Sequence, residues 1–78
     1  MSEIFRVFGL VFVIFSDDHD PPHVHIFHGR ETCKIALDSL TVATKPRCTL
    51  SKANLRKALQ LAAKNRLLLL REWEKIHG

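Results

Sequence analysis

Apolar residues follow two rhythms along this chain, every second position up to about residue 38 and every third or fourth position after residue 51. The first is the period of a β-strand and the second that of an α-helix, so the pattern predicts strands followed by a helix. The first apolar stretch, Glu3 to Ser16, is interrupted at Gly9, and a two-residue turn at Phe8-Gly9 folds it into a hairpin with Val7 facing Leu10 and Phe5 facing Phe12. Phe8 suits that turn poorly, because a primed turn of the first type needs a positive φ there; a longer or bulged connection is the alternative. Alternation sets Phe5, Val7, Leu10, Phe12 and Ile14 on one face and Ile4, Arg6, Val11, Val13 and Phe15 on the other. Both faces are largely apolar. A single helix covers only one of them, so the second is expected to meet loops or another chain, which predicts a homo-oligomer or a small partner protein.

A second hairpin follows the double proline. His23 to Phe27 reads as a strand, His28-Gly29 as its turn and Arg30 to Asp38 as the return strand. This register sets His25 opposite Thr32, Val24 opposite Cys33 and His23 opposite Lys34. The core face is then Val24, Ile26, Cys33, Ile35 and Leu37, and the outer face carries His23, His25, Phe27, Arg30, Thr32 and Lys34. Residues 39–50 contain Lys45-Pro46-Arg47 and read as a loop, or as a short strand over Leu40 to Ala43.

The helix begins at Ser51, a good N-cap residue, with Leu50 and Leu55 spaced as a hydrophobic staple. It is predicted to run from Lys52 to about Ile76, the whole unit spanning 51–77. At roughly 100° per residue, Leu55, Ala58, Leu59, Ala62, Leu69, Leu70, Trp73 and Ile76 form one apolar stripe. Lys57, Lys64, Arg71 and Lys75 form a basic ridge on the other side, flanked by Leu61 and Leu68; it reads as a solvated face or as a docking surface. Arg66 points into the apolar stripe and needs a carboxylate from Asp17, Asp18 or Asp20, a snorkelled stem, or a bound anion. The expected fold is one α+β domain over 1–78, with two hairpins (about four strands) at 3–38 packed on one long C-terminal helix.

Composition narrows the class. A chain of 78 residues holds one domain with a thin core, burying roughly 60 to 65% of its unfolded surface. The longest apolar run, Val7 to Phe15, is well short of the about 20 residues a bilayer span needs, and the residues flanking it do not make a secretory signal, so no membrane role and a cytoplasmic location are expected. Two cysteines, Cys33 and Cys48, form no CxxC pair and are expected as reduced thiols. A net charge of +4 weakly favours an anionic partner, nucleic acid among them.

The candidate chemistry lies at Asp17 to His28, where His19, His23, His25 and His28 fall within ten residues. Imidazole serves as metal ligand, as general acid or base, and as pH switch. His23 and His25 share one face of a strand, and His19 or Asp18 could add a third ligand across Pro21-Pro22. A divalent metal is nevertheless disfavoured, because Lys34 opposite His23 puts a second cation beside it and Cys33 faces the core, so no cofactor is expected. A catalytic reading makes His19, His23 and His25 acid and base in cleavage of RNA, with Arg30, Lys34 or Arg66 meeting the phosphate and Lys57, Lys64 and Arg71 extending the basic surface. The plainest reading leaves His19 and the aspartates bonding backbone groups around the Pro-Pro bend.

The run Ser16-Asp17-Asp18-His19-Asp20-Pro21-Pro22-His23-Val24-His25, the strand ending at Leu37-Asp38 and the helical Leu55-Arg56-Lys57-Ala58-Leu59 resemble a family of small bacterial proteins grouped as a domain of unknown function, with an Asp/Glu-His-x-Pro-Pro-His-Val-His signature. The likeness spans nearly the whole chain. It departs at Phe8, where the family pattern has Asp or Asn before glycine. The resemblance implies a stand-alone cytoplasmic protein paired with a second small protein, as in a toxin and antitoxin module. The expected function is thus an interaction module of such a pair; the alternative is a small histidine-dependent nuclease, with or without a divalent metal.

Overall fold

The structure is a computed structural model that describes residues 2–78; Met1 lies outside the described residues. Four strands, β1 (Ser2–Val7), β2 (Leu10–Ile14), β3 (His23–His28) and β4 (Glu31–Ala36), pair in chain order as an antiparallel meander. Two helices follow, α1 (Lys52–Lys64) and α2 (Arg66–His77). The α+β architecture and the four strands match the sequence pattern; the single long helix does not.

The first hairpin closes as a two-residue loop with Val7 opposite Leu10 and Phe5 opposite Phe12. Phe8 and Gly9 both take positive φ, 56° and 75°, so the chain accepts an aromatic residue where a primed turn favours Asn or Gly. Phe8 is 71% exposed there, with the Lys57 ammonium 5.6 Å from its ring centre. A register shift between Glu3 and Phe5 corrects the expected face of Ile4, which packs against the core beside Phe5. The same bulge brings Glu3 next to Arg6, whose guanidinium donates to the Glu3 carboxylate at 2.9 Å.

The second turn is Gly29-Arg30 rather than His28-Gly29, closed by His28 opposite Glu31. Gly29, with φ of 59°, takes the first turn position, where a positive φ is needed. Moving the turn by one residue moves the pairing by two. Faces are therefore kept, while His23 lies opposite Ala36 and His25 opposite Lys34. Val24, Ile26, Cys33, Ile35 and Leu37 are fully buried, as the alternation predicts.

Residues 39–50 line the free edge of β4. Val42 bridges Ile35, the Ala43 amide donates to Lys34, the Ala36 amide to Thr41, and the Thr49 amide to Thr32. Ser51 caps α1, its hydroxyl accepting from the Asn54 amide at 3.2 Å, and Leu50 is buried with Leu55 packed against the same cluster. Ala58, Ala62, Leu69 and Trp73 from the helices complete the core over Leu10, Phe12 and Ile14.

The helix breaks at Asn65, whose side-chain amide and backbone N–H both donate to the Leu61 carbonyl at 2.9 Å. A short polar side chain that competes for the helix's own acceptors disfavours continuation at that point. Arg66 opens α2 and donates to the carbonyls of Leu37 at 2.7 Å and Asp38 at 2.9 Å. Its compensation is thus the backbone at the end of β4, and not Asp17, Asp18 or Asp20. Among the described residues no helix is long and apolar enough to cross a membrane.

Candidate functional site

The histidine segment forms one wall of a cavity of about 470 Å³, lined by Asp17, Asp18, His19, Asp20, His23, His25, Lys34 and neighbouring alanines and proline. β3 sets His23 and His25 on one face of the sheet, and the small Ala36 across from His23 leaves the space open. The loop from Ile14 to His23 returns Asp18 over both rings. That return is fixed by reciprocal bonds: the Asp18 amide donates to the Phe15 carbonyl, and the Phe15 amide donates to Asp18 Oδ2, each at 3.1 Å.

Asp18 therefore stands between the two imidazoles, with Oδ2 3.4 Å from His23 Nε2 and Oδ1 3.4 Å from His25 Nε2. The side chains of His23, Asp18 and His25 keep only 8%, 14% and 17% of their exposure, so these charges interact with little solvent between them. His23 Nδ1 lies 2.9 Å from the Pro21 carbonyl, which can only accept, so Nδ1 carries a proton. His25 Nε2 is buried and, despite its nearness to Asp18, makes no hydrogen bond of good geometry among the described residues.

Burial acts to raise the Asp18 carboxyl, but the Phe15 amide and the two imidazoles outweigh it, and its pKa falls below the ordinary carboxylate value. Burial lowers the pKa of His25, with His23 and Lys34 adding to the effect against the opposing pull of Asp18. Near neutral pH the site thus holds a carboxylate beside a neutral His25.

Aromatic packing ties the cluster to the rest of the fold. The His23 ring centre is 5.1 Å from that of Trp73 on α2, and Phe15 meets His25 edge-on at 4.8 Å. His77 stacks on Trp73 at 3.8 Å, and its Nε2 lies 3.1 Å from the Phe15 carbonyl, at the base of the turn that carries Asp18.

Of the residues expected from sequence, the structure brings His23 and His25 together and completes their cluster with Asp18 rather than His19. His19 is exposed and lines the same cavity. Lys34 is the one lysine or arginine in that lining, while Arg30 sits in the exposed turn at the far end of β3 and Arg66 is engaged with the Leu37 and Asp38 carbonyls just past β4. Lys57, Lys64 and Arg71 are exposed on the helices and outside the cavity. Sequence reasoning passed over His77 and the Phe15 backbone, whose roles depend on contacts 62 residues apart in the chain.

Neither a curated protein nor a solved structure matches the chain. The family model described as Domain of unknown function (DUF4160) matches residues 9–74, a span that holds the whole cavity lining, and the chain belongs to that family.

Proposed function

We propose that the Asp18, His23 and His25 centre is catalytic, making the protein a small histidine-dependent hydrolase whose substrates are phosphodiesters such as RNA. One observation carries this reading: two imidazoles and a carboxylate converge, largely shielded from solvent, on the wall of a cavity that also holds Lys34. A neutral His25 is fit to accept a proton from an attacking hydroxyl, and perturbed ionisable groups gathered in a cleft are a mark of catalytic sites. Lys34 supplies positive charge for the phosphorane-like transition state. As the bond from phosphorus to the leaving oxygen breaks, that oxygen takes up a proton, and we assign its donation to His19 on the exposed side of the cavity. The basic surface of the chain, with net charge +4, favours approach of a polyanion.

The test is cleavage of a labelled RNA oligonucleotide by purified protein, compared with His25→Ala and His23→Ala variants shown by circular dichroism to be folded. Cleavage reduced at least about a hundredfold in both, in line with loss of a general acid or base, is the expected result. Equal cleavage by wild type and variants overturns it.

A second reading, an interaction module of a bacterial toxin and antitoxin type, draws on a different surface. Val11, Val13 and Phe27 form an apolar groove of about 290 Å³ on the sheet face away from the helices, beside the Glu3 and Arg6 ion pair. Such a face suits a second copy or a small partner protein in the cytoplasm. Light scattering that finds a monomer at high micromolar concentration, with or without the product of the neighbouring gene, removes this reading.

A further inference from the structure

The geometry points to a divalent transition-metal site formed by Asp18 Oδ, His23 Nε2 and His25 Nε2, open on its remaining side to the cavity. The site rests on the reading above in placing the chemistry at this centre; with an ion bound, His25 Nε2 would be a ligand and not the free base, and the ion would supply activation of the attacking hydroxyl in its place.

The first argument is the direction of the His23 proton. With Nδ1 donating to the Pro21 carbonyl at 2.9 Å, a neutral ring turns the lone pair of Nε2 toward a carboxylate oxygen 3.4 Å away. Two electron-rich atoms facing each other at low solvent exposure repel, and an electrophile between them turns the repulsion into two bonds. A ligating histidine commonly has this arrangement, its other nitrogen fixed by a backbone carbonyl.

The second argument is His25. A single proton shared by His23 and Asp18 would leave His25 Nε2 buried without a partner, as it is here. An ion satisfies all three groups at once. The three donor atoms lie within 4.8 Å of one another. His23 Nε2 is 3.4 Å from Asp18 Oδ2 and His25 Nε2 is 3.4 Å from Asp18 Oδ1, so each nitrogen faces its own carboxylate oxygen at about the separation, roughly 3.3 Å, of neighbouring ligands on one ion with bonds of roughly 2.0 to 2.1 Å.

The third argument is charge. In a chain of net charge +4, the cavity lining collects three carboxylates, Asp17, Asp18 and Asp20, against the single ammonium of Lys34. That lining repels a phosphate until a cation offsets it. The corrected register moves Lys34 from opposite His23 to opposite His25, so its ammonium still lies beside the site, where the three carboxylates outnumber it.

The donor set selects the class of ion. Two imidazoles and one carboxylate suit Zn²⁺, Fe²⁺ or Co²⁺, and imidazole disfavours Mg²⁺ and Ca²⁺. With three protein ligands, the fourth position is left for water or substrate, the arrangement of a reactive site rather than a closed structural one.

The experiment is calorimetric titration of the full chain, purified without a histidine tag and stripped with chelator, using Zn²⁺, with Co²⁺ absorption spectra as a second readout and Mg²⁺ as control. One ion per chain is expected, with the visible bands of low-symmetry Co²⁺. Affinity should fall at least about a hundredfold in Asp18→Asn, His23→Ala and His25→Ala, more than an outer-shell change produces, and remain within a few-fold in His28→Ala. Circular dichroism of each stripped variant establishes that it is folded; should His23→Ala unfold, Asp18→Asn and His25→Ala carry the comparison. Absence of binding, or binding that Asp18→Asn and His25→Ala leave intact, overturns the site. Turnover is not read in this test. Metal bound by all three residues with no RNA cleavage upholds the site and removes the hydrolytic reading, whereas cleavage by a chain that binds no metal does the reverse.

Discussion

The Pro21 carbonyl decides which nitrogen of His23 faces Asp18, and that choice shapes the site. The sequence displays the two histidines two residues apart, which is enough to put them on one face of a strand. It does not display which side chain joins them. His19 and Asp18 are adjacent, and only the paired bonds between the Phe15 and Asp18 backbones and the Asp18 carboxylate turn the aspartate inward and leave the histidine exposed. Glycine at the first turn was more legible, because only its backbone freedom suits the φ of 75° found there. A Cβ at Gly9 would also meet the His28 ring at 3.4 Å. Gly9→Ala is therefore expected to destabilise the fold by about 1 to 2 kcal/mol, read as a lower urea midpoint with an unchanged slope; an unchanged midpoint would show that the turn relaxes freely.

Among the elements, the strands were readable because alternation survives errors in turn placement. Setting the second turn one residue early shifts its partners by two and leaves every side chain on its proper face, so the buried residues of this hairpin follow the alternation while Lys34 changes partner. The break in the helix is hidden for the opposite reason. Apolar spacing continues through Asn65 into Leu69 and Trp73, and nothing in that spacing reveals that the Asn65 side chain competes for the Leu61 carbonyl. Once the helix breaks, Arg66 stands at the start of α2 and fastens it to the end of β4 through two carbonyls. Arg66→Ala is expected to cost about 1.5 to 3 kcal/mol, the range for a hydrogen-bonded charged group. Arg66→Lys should restore only part of that, since an ammonium lacks the planar fork that reaches both oxygens. Equal stability of the alanine variant and the wild type in urea would show that the link between α2 and β4 is incidental.

For the molecule as a whole, the fold brings to one end of the sheet what the chain keeps far apart. Asp18 and the two histidines come from the second hairpin and its approach, Trp73 packs behind His23 from α2, and His77 reaches the Phe15 carbonyl from the last turn of that helix. Both helices thereby cover the core face, while the centre opens on the opposite face beside Lys34. Net charge read over the entire chain suggested an anionic partner; the distribution in space places three of the carboxylates in the one cavity that carries the histidines. The sequence shows these aspartates beside the histidines and does not show that they share a cavity, because Asp17, Asp18 and Asp20 read equally well as turn residues. The claim that Asp18, His23 and His25 form a single centre is tested most directly by long-range ¹H–¹⁵N correlation spectra of the five histidines during addition of zinc. The account predicts His23 as the Nδ1–H tautomer before zinc is added, and large shifts of Nε2 in His23 and His25 on addition, with His19, His28 and His77 unmoved. A His23 found as the Nε2–H tautomer, or zinc that moves His19, His28 or His77 in place of the pair, would contradict it.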